Sequence, residues 1–426
     1  MHADDREPTG WEQSRRLLGR FLGGGCRLDH LLQDSSLESE EAARCRFYLT
    51  GTIRNLMLLE TILDRQIPRR PRPEVRSILL LGAFEILENP DQTPKIVHFA
   101  VEQAKRRVSK PESGLINSVL RRFPEALAKW KAGAGKDAAS LAILYSHPAW
   151  MVRRWLAAFG SENTRRLLEW NQQAAGVYAR RIDLGTGAAA SLPGAVESPW
   201  PDFVEISGMS WSDVSAALRA GTIYIQDPAT RLAPKLLGVG ADEAVLDLCA
   251  SPGGKTLQLA QAAARTGGRV VAIDLPGPRM IRLRENTRRH ADWPISLLGA
   301  DVRDLNADLL RSHGLPAIYD GVLIDVPCSN TGVLRHRVDA KWRLKEADLD
   351  NLTRLQSHLL EAASRLVRPG GSLVYSTCSL EREENDGVVE TFVAAHPGFE
   401  RGEGGVALPW ESGHDGAGSF LLRRKP

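Results

Sequence analysis

The sequence predicts an α/β protein whose C-terminal half forms a doubly wound, mostly parallel sheet. From about residue 225 onward, short apolar runs alternate with helical segments, which is typical of successive β-α units. The apolar runs are nearly continuous, which indicates strands buried on both faces. With 426 residues the chain is also too long for one ordinary core. We therefore expect this sheet to be one of two or three domains.

Changes in pattern predict where these domains begin and end. Residues 10–132 are predicted to form an all-helical domain, because apolar residues recur every three or four positions, as between Val75 and Leu87. After an Ala- and Gly-rich linker at Ala132–Ala138, residues 139–224 are predicted to form a small α+β subdomain. Residues 225–426 are predicted to hold the parallel sheet. The elements expected in the α+β subdomain are helices at Trp150–Ala158 and up to Trp170, and strands at Val177–Ile182, Phe203–Ile206 and Ile223–Ile225.

Nine elements are predicted in the C-terminal domain. The expected strands are Ala244–Cys249, Arg269–Leu275, Ile295–Leu298, Gly321–Asp325 and Gly371–Ser376. The expected helices are Thr256–Ala264, Arg279–His290, Asp348–Leu366 and Glu384–Ala395. In this order a helix separates each pair of consecutive strands, except the third and fourth strands. Parallel strands require such crossover connections.

Composition argues against a membrane or secreted protein. Apolar residues make up 43% of the chain and charged residues 25%, and no apolar run is long enough to cross a bilayer. The segment Met1–Arg20 lacks the apolar stretch of a signal peptide. We therefore expect a cytoplasmic protein with no membrane association.

The five cysteines indicate free thiols. Their number is odd and no two are separated by two residues, so neither a disulfide scaffold nor a structural zinc site is expected, and no metal is predicted. Most free cysteines are small buried apolar side chains. A chemical role for any of them must come from its local sequence.

One segment of the helical region is strongly basic. The segment from Lys95 to Lys131 contains nine basic and three acidic residues, a net charge of +6, whereas the whole chain has a net charge of +3. Such a segment suits a phosphate backbone, although a solvated helix face is the commoner explanation. The basic residues are Lys95, Lys105, Arg106, Arg107, Lys110, Arg121, Arg122, Lys129 and Lys131.

The segment Asp247-Leu-Cys-Ala-Ser-Pro-Gly-Gly-Lys-Thr256 lies at a predicted strand-to-helix junction. Its two glycines allow a sharp turn and the close approach of a ligand, and Asp274 follows about twenty residues later, as a carboxylate that binds a ribose does. A Walker A loop is disfavoured because Cys249 stands where its first glycine is required. The dinucleotide fingerprint is also absent. A nucleoside without pyrophosphate remains, and S-adenosylmethionine fits that description.

Four aspartates end or follow predicted strands. They are Asp247, Asp274, Asp301 and Asp325. Ligands of open α/β sheets bind outside the carboxyl ends of the strands. One such residue is often only a helix cap, but four on neighbouring strands indicate a binding site.

Two further segments place a cysteine just beyond a strand, Asp325-Val-Pro-Cys-Ser-Asn-Thr-Gly332 and Tyr375-Ser-Thr-Cys-Ser-Leu380. Two thiols at one sheet edge without metal-ligand spacing suggest covalent chemistry. Addition of a thiolate to C6 of a cytosine makes C5 nucleophilic enough to accept a methyl group from a sulfonium. The reaction also needs a group that stabilises N3, for which protonated Asp325 or a water is a candidate, and a thiol or base that resolves the adduct.

At these residues the chain resembles the bacterial RsmB (Sun/Fmu) family of 16S ribosomal RNA cytosine-C5 methyltransferases. The two cysteine segments, the second with Glu383-Glu-Asn385, and the glycine turn resemble that family's motifs in order and spacing, and Gln226-Asp-Pro-Ala229 resembles the start of its catalytic domain. The helical region, including Gly114–Arg122, is similar to NusB-like RNA-binding domains. The resemblance implies a Rossmann-like methyltransferase domain.

The resemblance also implies site residues. Cys378 would be the nucleophile and Cys328 would help to resolve the adduct, whereas spacing alone does not rank the two cysteines. S-adenosylmethionine would contact Cys249, Ala250, Ser251, Pro252, Gly253, Gly254, Lys255, Asp274, Asp301 and Asp325. The implied partner is 16S rRNA of the small subunit. A different class of protein, a non-catalytic RNA-binding or antitermination factor with a vestigial domain, stays open as the alternative.

Three positions depart from the family's usual residues. Val326 replaces alanine, Val338 stands where proline is frequent, and Asn330 replaces a common glycine. Asparagine tolerates a positive φ better than most residues do. These departures put rate or substrate in doubt and leave the reaction type unchanged.

Overall fold

The computed structural model of the chain describes residues 9–24, 26–33, 39–182 and 192–426. Parts of Met1–Arg20, of the expected helical domain and of the expected α+β subdomain lie outside the described residues. The chain divides into two compact units. The first ends at Gln173 and takes in the later segment Leu334–Arg343, and the second comprises Ala174–Val333 and Leu344–Pro426.

This division differs from the expected boundaries after residues 138 and 224. The first unit extends to Gln173 because the helix Ala138–Leu144 packs on the helical core. The stretch Ala132–Ala138 is therefore not a domain boundary, since a long helix continues to Gly133 and Ala134 contacts the same core. The strands expected between residues 177 and 225 belong to the second unit.

The first unit is helical in its described residues, as predicted. Its central helix Pro73–Glu88 begins with a proline at its first position and is buried at most of its residues, so the other helices pack around it. A capping box of Ser109 and Glu112 starts the helix that carries most of the basic segment. The helices are α1 (Gly10–Leu22), α2 (Leu28–Gln33), α3 (Ser39–Arg54), α4 (Leu56–Asp64), α5 (Pro73–Glu88), α6 (Thr93–Lys105), α7 (Lys110–Gly133), α8 (Ala138–Leu144) and α9 (Ala149–Gln172).

Helix α9 is interrupted at Gly160, between the two helices that the sequence predicted for this stretch. Gly160 has φ 74° and ψ 173°, which only glycine adopts readily, and this residue breaks the helix into two parts. Among the described residues no helix has both the length and the apolar character required to cross a bilayer.

The second unit begins with a small antiparallel sheet and continues into the large one. The small sheet has strands β1 (Tyr178–Arg181), β2 (Val196–Glu197), β3 (Phe203–Glu205) and β4 (Ile223–Ile225) in the order β2-β3-β1-β4. The large sheet has strands β5 (Ala244–Leu248), β6 (Arg269–Asp274), β7 (Ile295–Gly299), β8 (Tyr319–Asp325), β9 (Val367–Thr377), β10 (Phe399–Ala407) and β11 (Ala417–Arg424).

The order of the large sheet is β10-β11-β9-β8-β5-β6-β7. Strands β9, β8, β5, β6 and β7 are parallel, whereas β11 is antiparallel to β9 and β10 is antiparallel to β11. This arrangement confirms the predicted doubly wound, mostly parallel sheet and is Rossmann-like. The final hairpin was not predicted, because Phe399–Ala407 is rich in glycine and glutamate and shows no apolar alternation.

The second unit also contains α-helices, of which Trp211–Arg219 packs on the small sheet. They are α10 (Trp211–Arg219), α11 (Leu232–Leu237), α12 (Gly254–Thr266), α13 (Pro278–Thr287), α14 (Ala307–Ser312), α16 (Asp348–Ser364), α17 (Asp386–Ala395) and α18 (Pro409–Ser412). The segment Leu334–Arg343 of the first unit ends in α15 (Ala340–Arg343), and Val338 of that segment is buried in the helical core.

The order of the strands creates a crevice at the middle of the sheet. From β5 the chain adds β6 and β7 on one side and then returns to add β8 and β9 on the other. The loops that follow β5 and β8 therefore leave in opposite directions, and ligands of such sheets bind between them. All three sequence motifs lie at this edge.

Candidate active site

The turn after β5 is shaped by its backbone. Cys249 has φ 58° and Gly253 has φ 106°, so the chain reverses sharply before α12 begins at Gly254. A Cβ atom on Gly254 would lie 2.7 Å from Oε1 of Gln226. The second glycine thus leaves room at the start of the helix, as the sequence motif predicted.

Asp274 fixes this turn to the neighbouring strand. Its side chain is 3% exposed, and its two oxygens accept hydrogen bonds from the backbone N–H groups of Ser251, at 2.8 Å, and Leu275, at 2.7 Å. The guanidinium of Arg279 lies 3.9 Å from the carboxylate and donates to the carbonyl of Ser251. Asp274 therefore holds the motif in position from the end of β6.

Asp301 lies apart from the turn. Its carboxylate accepts from the backbone N–H and the guanidinium of Arg303, with the shortest contact at 2.6 Å, and this pairing lowers the pKa of Asp301. Neither Asp274 nor Asp301 lines the pocket that the structure describes beside the turn. These two predicted cofactor residues are thus outside the pocket lining.

The pocket has a volume of about 150 Å³ and lies between β4 and the start of α12. Its lining residues are Tyr224, Ile225, Gln226, Thr230, Asp247, Cys249, Ala250, Ser251, Pro252, Gly254, Lys255 and Asp325. Asp325 and six of the seven predicted loop residues from Cys249 to Lys255 are in this set, and the missing one is Gly253. The wall formed by Tyr224, Ile225, Gln226 and Thr230 was missed. The Gln226-Asp-Pro-Ala229 motif was the available signal.

Three side chains that line this pocket have buried polar atoms without hydrogen-bond partners within the described residues. They are the amide of Gln226, at both its oxygen and its nitrogen, Oδ1 of Asp247 and the hydroxyl of Ser251. The other oxygen of Asp247 accepts from the hydroxyl of Thr256 at 2.6 Å, and burial raises the pKa of Asp247 to about 7. Buried polar groups without partners favour a ligand that satisfies them.

Lys255 connects the turn to the next strand. Its ammonium donates to Oδ2 of Asp325 at 2.7 Å. Burial disfavours the charged lysine, but the carboxylate of Asp325 outweighs this effect, so the pKa of Lys255 is raised. The sequence assigned Lys255 only to the cofactor loop. Its contact with Asp325 also brings a proton donor to the cysteine side of the crevice.

The two predicted catalytic cysteines lie together, although fifty residues separate them in the chain. The sulfur atoms of Cys328 and Cys378 are 3.1 Å apart. Two effects raise the pKa of Cys328 well above its ordinary value. The larger is the hydrogen bond with Cys378 and the second is burial, so Cys328 holds its proton at neutral pH. Burial likewise raises the pKa of Cys249 to about 12 and leaves it as a thiol.

A buried network of hydrogen bonds positions both cysteine loops. The carboxylate of Glu384 accepts from the backbone N–H of Ser329 at 2.9 Å, from the amide of Gln356 at 2.8 Å and from the hydroxyl of Ser379. Asn385 donates to the carbonyl of Ser379 at 2.9 Å. The Glu-Asn pair that the family motif contains is therefore a support for the loops, since it contacts the residues that follow each cysteine.

The basic segment forms part of the surface of the helical unit. All nine of its lysines and arginines are exposed, on or next to α6 and α7. Lys105 pairs with Glu102, and Arg107 pairs with Glu12 at 2.8 Å. The positive charge predicted from the sequence is thus available to solvent.

Comparison with known proteins agrees with this geometry. The family described as 16S rRNA methyltransferase RsmB/F matches residues 234–409, and the NusB family matches residues 16–125. The structure of PH0851 superposes with a TM-score of 0.76 at 22% identity over 99% of both chains. NSun6 from Pyrococcus horikoshii, solved with SFG, superposes with a TM-score of 0.56 at 19% identity over 66% of this chain and 100% of its own. These structures share the fold.

Curated relatives extend the similarity over most of the chain. Ribosomal RNA small subunit methyltransferase B of Thermus thermophilus is 34% identical over 379 residues, covering 87% of this chain and 83% of its own. The protein of the same name from Sodalis glossinidius is 31% identical over 396 residues, covering 90% and 88%. With this identity over nearly its whole length, and with a NusB domain before a Rossmann-like domain, the chain belongs to the RsmB/F family of methyltransferases.

Proposed function

We propose that this protein transfers a methyl group from S-adenosylmethionine to C5 of a cytidine in 16S rRNA, through a covalent bond between Cys378 and C6 of the base. The observation that carries the proposal is the pair of thiols 3.1 Å apart, next to the ion pair of Lys255 and Asp325. Neither thiol forms a disulfide in the described structure. A paired thiol site of this kind suits covalent catalysis.

The pocket beside the turn fits the methyl donor. It offers an unpartnered acceptor on Asp247, an unpartnered amide on Gln226 and the start of α12, a set that suits the ammonium and carboxylate of an amino acid. Asp274, one strand further along, is near the place where a ribose would lie. When bound, S-adenosylmethionine would supply an electrophilic methyl group on a sulfonium.

The first step falls to Cys378. We assign the nucleophile to Cys378 because the family resemblance implies that role, and Cys328, whose sulfur lies 3.1 Å away, is the partner thiol. Its sulfur forms a bond to C6 of the cytosine, and the electrons of the C5–C6 double bond move toward N3. In place of the protonated Asp325 or water that the sequence suggested, we propose that the ammonium of Lys255, paired with Asp325, donates a proton to N3. This addition makes C5 the nucleophilic carbon that accepts the methyl group, whose bond to the sulfonium would break and leave a neutral thioether. The C4–N3 double bond re-forms, and N3 returns its proton to Lys255.

Release of the product needs two further events. The C5 proton must pass to a base, and the bond between C6 and the sulfur of Cys378 must break, with its electron pair returning to sulfur. Cys328 lies 3.1 Å from that sulfur and donates its proton to it, and then regains a proton from solvent. Loss of this thiol should therefore leave the protein attached to RNA.

Two observations support rRNA as the substrate. The curated relatives are named ribosomal RNA small subunit methyltransferase B, and the NusB-like unit exposes nine basic residues that suit RNA phosphates. A target cytidine must leave its stack to reach a recessed thiol, which RNA-modifying enzymes achieve by splaying out the base.

The test is transfer of a labelled methyl group from S-adenosylmethionine to 16S rRNA, followed by nucleoside mass spectrometry. We expect 5-methylcytidine, and bisulfite sequencing of rRNA from a deletion strain identifies its position. A methyl group on another base or on ribose would overturn the cytosine assignment. Binding of RNA without any transfer would favour the non-catalytic alternative.

A further inference from the structure

Asn330 contacts both cysteine residues of the site. Its amide nitrogen donates to the backbone carbonyl of Cys328 at 2.8 Å, and its amide oxygen accepts from the thiol of Cys378 at 3.4 Å. Asn330 has φ 63°, so its backbone occupies the left-handed region that asparagine tolerates. Asn330 therefore adopts the positive φ that the sequence suggested it could tolerate. Its side chain reaches the sulfur of Cys378, the proposed nucleophile.

The orientation of this amide follows from its partners. A carbonyl oxygen only accepts hydrogen bonds, so the atom of Asn330 that faces Cys328 O must be the nitrogen. The oxygen is then the atom that faces Cys378. An amide oxygen accepts from a thiol but cannot donate to a thiolate, so this contact favours the protonated form of Cys378 and fixes the direction of its S–H bond.

We propose that Asn330 is a positioning residue for Cys378, which orients the thiol and keeps it protonated until the target base is bound. The inference rests on the proposed role of Cys378 as nucleophile. Where glycine occupies this position no side chain can restrain the thiol. Asn330 thereby lowers the reactivity of the resting enzyme toward other electrophiles.

Other groups near Cys378 also influence its charge. Cys328 contacts its sulfur directly, and Cys378 also interacts electrostatically with the ammonium of Lys255, which is paired with Asp325. Glu384 is close enough to Cys328 to contribute to the raised pKa of that thiol. None of these side chains is altered by a substitution at residue 330, so a change in Cys378 can be assigned to the amide.

The experiment measures alkylation of Cys378 by iodoacetamide as a function of pH, in the full-length protein without RNA or cofactor, with peptide mass spectrometry to follow each cysteine. In Asn330→Gly and Asn330→Ala we expect the midpoint pH for Cys378 to fall, and its rate at pH 7 to rise about three- to tenfold. In Asn330→Asp we expect the midpoint to rise and the rate to fall at least about threefold, because a carboxylate repels the thiolate.

Opposite shifts in variants of similar size distinguish an electrostatic role from a structural one. The profile of Cys26, in the helical unit, is the internal control and should not move. The proposal is overturned if Cys378 titrates alike in all four proteins, if all three variants shift in one direction, or if Asn330→Gly shifts while Asn330→Ala does not. Methylation by Cys378→Ala would instead refute the proposed nucleophile, and this outcome does not depend on the alkylation results.

Discussion

The two sides of the crevice hold their functional groups in different ways. On the β5 and β6 side, positive φ angles and backbone N–H groups that donate to Asp274 shape the turn, and buried aspartates supply charge. On the β8 and β9 side, hydroxyls and amides around Glu384 support the two cysteine loops. The first side is suited to binding a ligand and the second to placing reactive atoms.

The difference suggests how the protein separates binding from chemistry. In the proposed function the pocket beside the turn binds the donor, whereas the network around Glu384 supports the two cysteine loops through residues that do not line the pocket. Lys255 is the exception, because its backbone lies in the turn while its ammonium donates a hydrogen bond to Asp325. Substitutions on the two sides should therefore affect different measurements.

The largest expected effect is at Cys378. Cys378→Ala should reduce methyl transfer more than about a thousandfold, because the nucleophile is removed, while affinity for S-adenosylmethionine stays within about twofold. Filter-binding of labelled methyl on rRNA and calorimetric titration of the cofactor measure the two quantities. Substantial remaining transfer would contradict covalent catalysis by this residue.

Cys328→Ala should come next, since the adduct would form but not resolve. We expect a slowly migrating protein–RNA complex on denaturing gels that survives heating in detergent, and multiple turnover reduced about a hundredfold or more. The double variant with Cys378→Ala is the matched control and should give no complex. If the complex appears in Cys378→Ala alone, the two roles are exchanged.

On the other side of the crevice, Gly254→Ala should weaken the cofactor without trapping RNA. The added Cβ would lie 2.7 Å from Oε1 of Gln226, which must move into the pocket. We expect affinity for S-adenosylmethionine to fall about tenfold or more, and turnover at saturating cofactor to change little. An unchanged affinity would show that the ligand lies elsewhere.

Asp247→Asn should stabilise the free protein in a pH-dependent way. Burial raises the pKa of Asp247 from 3.8 to about 7, so its contribution to stability is fully present below pH 4 and is lost as the pH rises to 7. The amide can still accept from Thr256. Urea unfolding should show a gain of roughly 2–4 kcal/mol at pH 8 and almost none at pH 4. A gain that is equal at both pH values would contradict the buried-charge explanation.

The smallest effect concerns the helical unit. Replacing Arg121 and Arg122 with alanine should weaken rRNA binding several-fold and reduce the slope of affinity against salt concentration by about two, because two phosphate contacts are lost. Cofactor affinity should not change. Measurement of binding at three salt concentrations is sufficient, and a slope equal to that of the unaltered protein would exclude these arginines from the RNA surface.

Much of the C-terminal domain was predictable because its signals are local. The expected strand Ala244–Cys249 and helix Thr256–Ala264 agree with β5 and α12 to within two residues, since apolar runs and glycine turns determine them directly. The hairpin of β10 and β11 was not predictable in this way. Its polar, glycine-rich first strand is ordered by pairing with β11, a partner that only the folded chain provides.

The sequence by itself determined the doubly wound sheet, the family resemblance and the identity of the two cysteines, because short motifs and periodic apolar residues carry that information. Only the tertiary structure decided that Leu334–Arg343 packs in the helical unit, that Gln226 joins the pocket wall, and that Lys255 reaches Asp325. It likewise decided that Asn330 touches Cys378 across 48 positions of the chain. Such contacts depend on where separate strands end in space, which no local pattern encodes.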